Sequence, residues 1–284
     1  MKTLKIVLVL LVSVLVGVGC EQDKSRTKAE KQGWLLSMQS FTFHLFTVTE
    51  SLNKTQELGI RFIEIFPGQK MGGDFGDIVF GYDLNREDQK KLVNLATSKD
   101  IKIISSGVWT AQREEWHHIF SFAKNMGMEY ISAEPAREDW NIVEELAKKY
   151  KIKVAVHNHP SENSYWKPEI LLGSISGRDG LLGACMDVGH YKRMGMDPIA
   201  SMRQLDGKII ALHFKDIAPQ GEEQSLEDVI WGKGILNVKG MMEELKRQNF
   251  RGYFTIEYEA DWENNLPQIR KSIDYFSQTT DNIL

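Results

Sequence analysis

The chain has 284 residues, 42% hydrophobic and 26% charged, with a formal net charge of -4. That is enough apolar material for one sizeable globular core. The acidic balance, with no basic run outside the extreme N-terminus, excludes a nucleic-acid backbone as the main partner and suits small neutral or weakly charged ligands.

The N-terminus reads as a targeting segment. Met1 to Lys5 is a basic n-region, Ile6 to Val18 is apolar, and Gly19-Cys20 closes it with a small residue before cysteine. This resembles a bacterial lipoprotein signal with Cys20 as the lipidated residue, although Gly17 stands where Leu is usual. The apolar run is shorter than the roughly 20 residues a spanning helix needs. Residues 1–19 are therefore expected to be a signal peptide, 20–32 a charged tether and 33–284 the folded domain, held to the membrane only through lipid on an exported face, periplasmic or outer-membrane. The chain has two cysteines. With Cys20 lipidated, Cys185 has no partner and reads as a small core residue.

Eight short apolar runs then alternate with helical segments. The strands are predicted at Trp34 to Met38, Arg61 to Ile65, Lys102 to Ser105, Tyr130 to Ala133, Lys153 to His159, Gly183 to Asp187, Ile209 to His213 and Tyr253 to Glu257. Helices are predicted over Thr49 to Leu58, Arg86 to Lys99, Trp116 to Met126, Trp140 to Tyr150, from Pro168, and over Pro198 to Leu205, Val238 to Gln248 and Leu266 to Phe276. The Gly-rich stretch from Pro67 to Asp83 is a long loop of the kind that carries function. Short apolar strands alternating with helices pair in parallel, and at this length one closed (β/α)8 TIM barrel is the expected fold. No Gly-rich phosphate fingerprint follows the first strand, which argues against an open doubly wound sheet.

In such a barrel all strand C-termini open on one face, where active sites lie. His157 and His159 stand at i and i+2 and so point the same way from the fifth strand. Asp187, His213 and Glu257 end the next three. Two imidazoles and two carboxylates delivered by separate strands suit a divalent transition metal such as Mn, Co, Zn or Fe.

The ordered set His157-Asn158-His159-Pro160, Asp187-Val188-Gly189-His190, His213-Phe214-Lys215-Asp216, Trp231-Gly232-Lys233-Gly234 and Ile256-Glu257-Tyr258 resembles the xylose isomerase-like TIM-barrel superfamily, which includes the sugar phosphate isomerases and epimerases. The resemblance runs from about Trp34 to Phe276. It implies metal ligation by Asp187, His213 and Glu257, and substrate contacts from His190 and Lys215. His157 replaces a glutamate common among relatives, which removes one of the two carboxylates an epimerase uses.

The expected chemistry is proton abstraction beside a carbonyl by Glu257 or Glu134, a partly desolvated carboxylate having the raised pKa that this requires. Reprotonation gives a sugar isomerase or epimerase; expulsion of a β-substituent gives a lyase acting on a 3-keto-glycoside. A sugar-binding lipoprotein without turnover is the third reading. His159 joins the substrate contacts, and Trp109, Trp166 and Trp231 are candidates to stack on a sugar or to close the barrel mouth. Glu134 could instead pair with Arg137. His117 and His118 read as surface residues. The substrate expected is an unphosphorylated carbohydrate; oligomeric state is open.

Overall fold

The computed structural model describes residues 26–162, 164–219 and 227–284. The signal segment and Cys20 lie outside the described residues. Eight parallel strands form the barrel: β1 (Trp34–Gln39), β2 (Phe62–Ile65), β3 (Lys102–Ser106), β4 (Tyr130–Ala133), β5 (Lys153–His157), β6 (Leu182–Asp187), β7 (Ile209–Phe214) and β8 (Gly252–Ile256). Hydrogen-bonded ladders run in sequence order from β1 to β3 and from β4 to β8, and β8 pairs with β1. Between β3 and β4 the barrel closes through single bonds. Glu129 N–H donates to the Ile104 carbonyl at 2.8 Å, and Trp109 N–H donates to that of Ser132 at 2.9 Å. Gly107 makes that approach possible, since a Cβ there would stand 2.3 Å from the Ser132 carbonyl oxygen.

The helices are α1 (Lys28–Gln32), α2 (Val48–Glu57), α3 (Arg86–Ser98), α4 (Trp116–Met126), α5 (Trp140–Tyr150), α6 (Pro168–Ile175), α7 (Val188–Arg193), α8 (Pro198–Gln204), α9 (Val238–Arg247) and α10 (Leu266–Ile283). Local chemistry sets several starts: Thr47 and Glu50 form a reciprocal capping box on α2, and Asn85 caps α3. Within the segment expected as a tether, Thr27 and Glu30 make the same box on α1, Ala29 is buried, and Lys28 donates to the Asp281 carbonyl. Short α7 follows β6 with no turn between them, so periodicity alone could not separate it.

Strand alternation sorts the side chains. Ile104, Tyr130, Ala155, Cys185, Ala211 and Tyr253 pack together inside the barrel, which confirms Cys185 as a core residue. One step of two residues up from Ala155, Cys185 and Ala211 stand His157, Asp187 and His213. The apolar floor is what lifts the polar residues to the mouth. Among the described residues no helix is long and apolar enough to cross a membrane.

Candidate active site

His157, Asp187, His213 and Glu257 converge as expected: one ligand atom from each lies within 4.8 Å of all the others, and all four side chains are buried. Asp187 and His213 are paired across β6 and β7, and His157 pairs with Cys185 in the next ladder. Asn158 clamps this corner, exchanging hydrogen bonds with the Asp187 backbone at 2.8 and 3.0 Å. His159 and His190 complete a second cluster around His157.

Each donor is oriented from behind. His213 Nε2 lies 2.9 Å from Glu64 Oε1, and the same oxygen accepts from Gln39 Nε2 at 2.6 Å. Glu64 is fully buried, and as an acceptor it leaves His213 Nδ1 facing the cluster. That nitrogen stands 3.1 Å from Glu257 Oε2 without the alignment of a hydrogen bond. Asp187 spends Oδ1 on capping α7, accepting the His190 N–H at 2.6 Å, and turns Oδ2 inward. Both ring nitrogens of His157 are buried without a hydrogen bond, the nearest carboxylate oxygens being those of Glu134 at 3.6 Å and Asp187 at 3.8 Å.

Buried imidazole nitrogens without hydrogen bonds, beside inward carboxylate oxygens, are what a divalent ion satisfies, with bonds of about 2.0–2.2 Å to N and O donors. The donor set fits. The surrounding carboxylates favour a protonated imidazole: burial pushes His157 down, yet Asp187 and Glu134 carry it up to about 9. His213 is likewise raised, Cys185, Glu257 and Glu64 outweighing burial.

Lys215 departs from expectation. Its ammonium is 1% exposed and lies 2.9 to 3.0 Å from Asp187 Oδ2, Glu257 Oε2 and Glu259 Oε1. It is a counter-ion beneath the site, saturated by carboxylates, and has no donor to spare for a substrate. Gly189 leaves room for its stem, since a Cβ there would meet Lys215 Cδ at 2.6 Å.

Above the cluster opens a cavity of about 480 Å³. His157, His159, His190, Glu257 and Glu259 form its polar side; Phe41, Phe66 and Val108 form the other. Arg193 donates to His190 Nδ1 at 2.9 Å, and burial, outweighing the Asp187 and Glu257 carboxylates, holds this imidazole far below its usual pKa. Neutral His190 therefore carries its proton on Nε2 and offers a donor at the site.

Glu134 is placed differently from a free base. Its Oε1 makes a very short contact with His159 Nδ1 and accepts the His159 backbone N–H at 3.2 Å, and Glu134 is not among the residues that line the cavity. Burial would raise its carboxyl, but His157 and His159 overcome this and hold it well below the carboxylate range. Glu257 is lowered too, Lys215 and His213 outweighing burial. The raised carboxyl pKa expected for either residue is thus corrected. Arg137 does not pair with Glu134: it donates to the Ser164 carbonyl and lies over Tyr165.

The three tryptophans do not form the sugar platform. Trp231 is 1% exposed and packs against Phe214 and Phe276 in the outer layer. Trp109 is buried in the β3–β4 seam, with Nε1 donating to Ser106 Oγ at 2.9 Å. Trp166 is half-buried under Lys167 and does not line the cavity. The reason for Trp231 lies in its neighbours: Gly232, Gly234 and Leu236 N–H groups wrap the Asp216 carboxylate at 2.8 to 3.0 Å, which draws the indole under the loop. Phe41 and Phe66 hold the places the tryptophans were expected to fill. His117 and His118 are exposed, as read from the sequence.

Residues 52–279 match the profile of the xylose isomerase-like TIM barrel. A solved structure of an uncharacterised protein from Parabacteroides distasonis is 37% identical, with a TM-score of 0.72 over 87% of this chain and 99% of that one. A D-tagatose 3-epimerase-like protein superposes with a TM-score of 0.69 at 18% identity, over 88% of this chain and 98% of its own. Inosose dehydratase from Lactiplantibacillus plantarum is 24% identical over 182 residues, so the match spans 58% of this chain and 59% of that enzyme. With its barrel, its matching profile over most of its length and its strand-end cluster, the chain belongs to the xylose isomerase-like TIM-barrel family.

Proposed function

We propose that the protein is a divalent-metal-dependent enzyme that isomerises or epimerises an unphosphorylated sugar by removing the proton beside a carbonyl. The observation that carries this is the convergence of His157, Asp187, His213 and Glu257 at the floor of a sugar-sized cavity. When bound there, a divalent ion supplies Lewis-acid polarisation of a carbonyl oxygen.

The chain's own groups do the rest. Glu257 faces the cavity and stays ionised through neutral pH, the state a base requires. Its low basicity makes the reaction depend on a strongly polarised carbonyl. His190 Nε2–H can donate to the oxygen on which charge develops. Phe41 and Phe66 cover the apolar face of the ring and exclude water. Among the described residues no Lys or Arg lines the cavity, while Glu257 and Glu259 do, and this supports a substrate without phosphate. Export as a lipoprotein through Cys20, with its membrane anchor, is part of the same proposal, because sugar phosphates are largely retained inside cells.

A lyase acting on a 3-keto-glycoside is the second reading, and one observation favours it. Glu134 is held against His159 and is not part of the cavity lining; of the two carboxylates that are, Glu257 belongs to the His-Asp cluster and is the one placed to act as base, and the half-exposed His159 faces the same cavity as the proton donor to a leaving group. In that reaction Glu257 takes the C2 proton, the C1–O bond breaks, a C1=C2 double bond forms and the aglycone leaves as an alcohol. The similarity to a dehydratase points the same way. Proton NMR in deuterated water, with metal-loaded protein and a panel of ketoses and 3-keto-glycosides, separates the two. Deuterium beside the carbonyl with the glycosidic bond intact supports the isomerase or epimerase; release of the aglycone with an unsaturated keto sugar supports the lyase. Absence of both would sink the proposal.

A further inference from the structure

The catalytic cavity does not end at Phe41. Beyond this ring lies a second hollow of about 480 Å³, lined by Leu45, Asp261, Trp262, Glu263, Asn264 and Gln268. Phe41 lines the first cavity and meets Trp262 edge-on at 6.0 Å, and His44 stacks on Phe41 at 5.1 Å while standing 4.3 Å from Trp262. The two hollows therefore share an aromatic divide built by the loops after β1 and β8, both at the catalytic end of the barrel.

Two features set this second hollow apart from ordinary surface. Phe41 at 38% and Leu45 at 57% are two of the five large hydrophobics left exposed among the described residues. Around them stand carboxylates and amides: Gln268 Nε2 donates to Asp261 Oδ2 at 2.8 Å, and Gln268 Oε1 is buried without a hydrogen bond. Among the described residues no cation lines the hollow. An indole with an aliphatic neighbour binds the C–H face of a pyranose, and surrounding Asp, Glu, Asn and Gln groups take its hydroxyls. A phosphate or another anion would be repelled by Asp261 and Glu263.

We infer that the Trp262 hollow is a binding site for a second sugar unit, glycosidically linked to the sugar that reacts beside Glu257. The substrate is then a disaccharide or longer glycoside rather than a free monosaccharide. This rests on the reading of the first cavity as a sugar site. Aromatic contact over the Phe41 divide holds the second ring, and its hydroxyls reach Asn264 and Gln268.

The test is saturation-transfer NMR and calorimetry on the metal-loaded protein, with methyl glucosides set against cellobiose, maltose and trehalose, on the wild type, Trp262→Ala and Trp262→Phe. At least one disaccharide should bind the wild type about tenfold tighter than the methyl glucosides. Trp262→Ala should erase that advantage, Trp262→Phe should recover part of it, and binding of the methyl glucosides should stay unchanged. Disaccharides binding no better than methyl glucosides, or Trp262→Ala weakening both equally at unchanged melting temperature, would overturn the second site while leaving the first cavity intact. No saturable binding of any sugar by the wild type would overturn the first reading and this one with it.

Discussion

Strands β5 to β8 and strands β1 to β4 present opposite chemistry to the same cavity. The later strands deliver His157, Asp187, His213 and, just past β8, Glu257, all charged or ligating and all aimed at one point. The earlier ones also place polar groups inside the barrel, but these are spent on each other: Gln39 holds Glu64, and Glu64 holds His213. What β1 and β2 show the cavity is Gln39 at the end of β1 and, from the loops that follow the two strands, Phe41 and Phe66. One half acts on the substrate; the other half aims the first and supplies an apolar wall. A sugar entering this space is oriented by having one polar and one apolar surround.

The comparison breaks most completely at Glu257. Glu257→Gln should lower kcat/KM by about ten-thousandfold, since the proposed function asks one side chain to serve as ligand and base. Circular dichroism should show the fold retained, and full activity would remove Glu257 from both roles.

Next in size is the counter-ion. Lys215→Met leaves Asp187 and Glu257 buried without their cation, which should cost the chelated protein about 3–5 kcal/mol of unfolding free energy. A divalent ion supplies replacement charge, so melting curves with and without chelator should show a much smaller loss in the loaded form. An equal loss in both forms would mean that Lys215 and the ion do not share those carboxylates.

The supporting half is probed more gently. Glu64→Gln keeps the volume but removes the charge that orients His213, and metal affinity by competitive titration should fall about 10–100-fold. No fall would reduce β2 to a wall.

The smallest effect expected is protonic. In the metal-free fold Asp187 and Glu134 outweigh burial and raise the His157 imidazole from its ordinary 6.5 to about 9. In the metal-free fold its contribution to stability is full below pH 6.5 and is lost as pH rises through about 9. Binding an ion must displace that proton, so affinity should rise about tenfold per pH unit for each proton displaced, and level off above about pH 9. Calorimetry in buffers of different ionisation enthalpy counts the protons released; none released at pH 7 would exclude His157 as a ligand.

Much of this was legible in the chain because the relevant code is short-range. A period of two residues places His157 on the same face as Ala155 and Asp187 on the same face as Cys185, and a closed parallel barrel then gathers every strand end on one face. Glu64 escaped because a lone carboxylate within Phe-Ile-Glu-Ile has no local signal; its partners Gln39 and His213 are 25 and 149 residues away. Lys215 was misread for a related reason. Its position at a strand end is local, but its burial depends on three carboxylates from β6 and from the segment following β8.

The amino-acid sequence by itself determined the alternation of strands and helices, the barrel and the identity of the four converging side chains, since each follows from local periodicity and from the one face on which parallel strands can end. Only the tertiary structure decided which neighbours those side chains meet: that Glu134 serves His159, that Lys215 is sealed beneath the site, and that Trp231 belongs to the packing while Phe41 and Trp262 face the open mouth. Those outcomes depend on burial and on contacts between residues far apart in the chain, which no local pattern encodes.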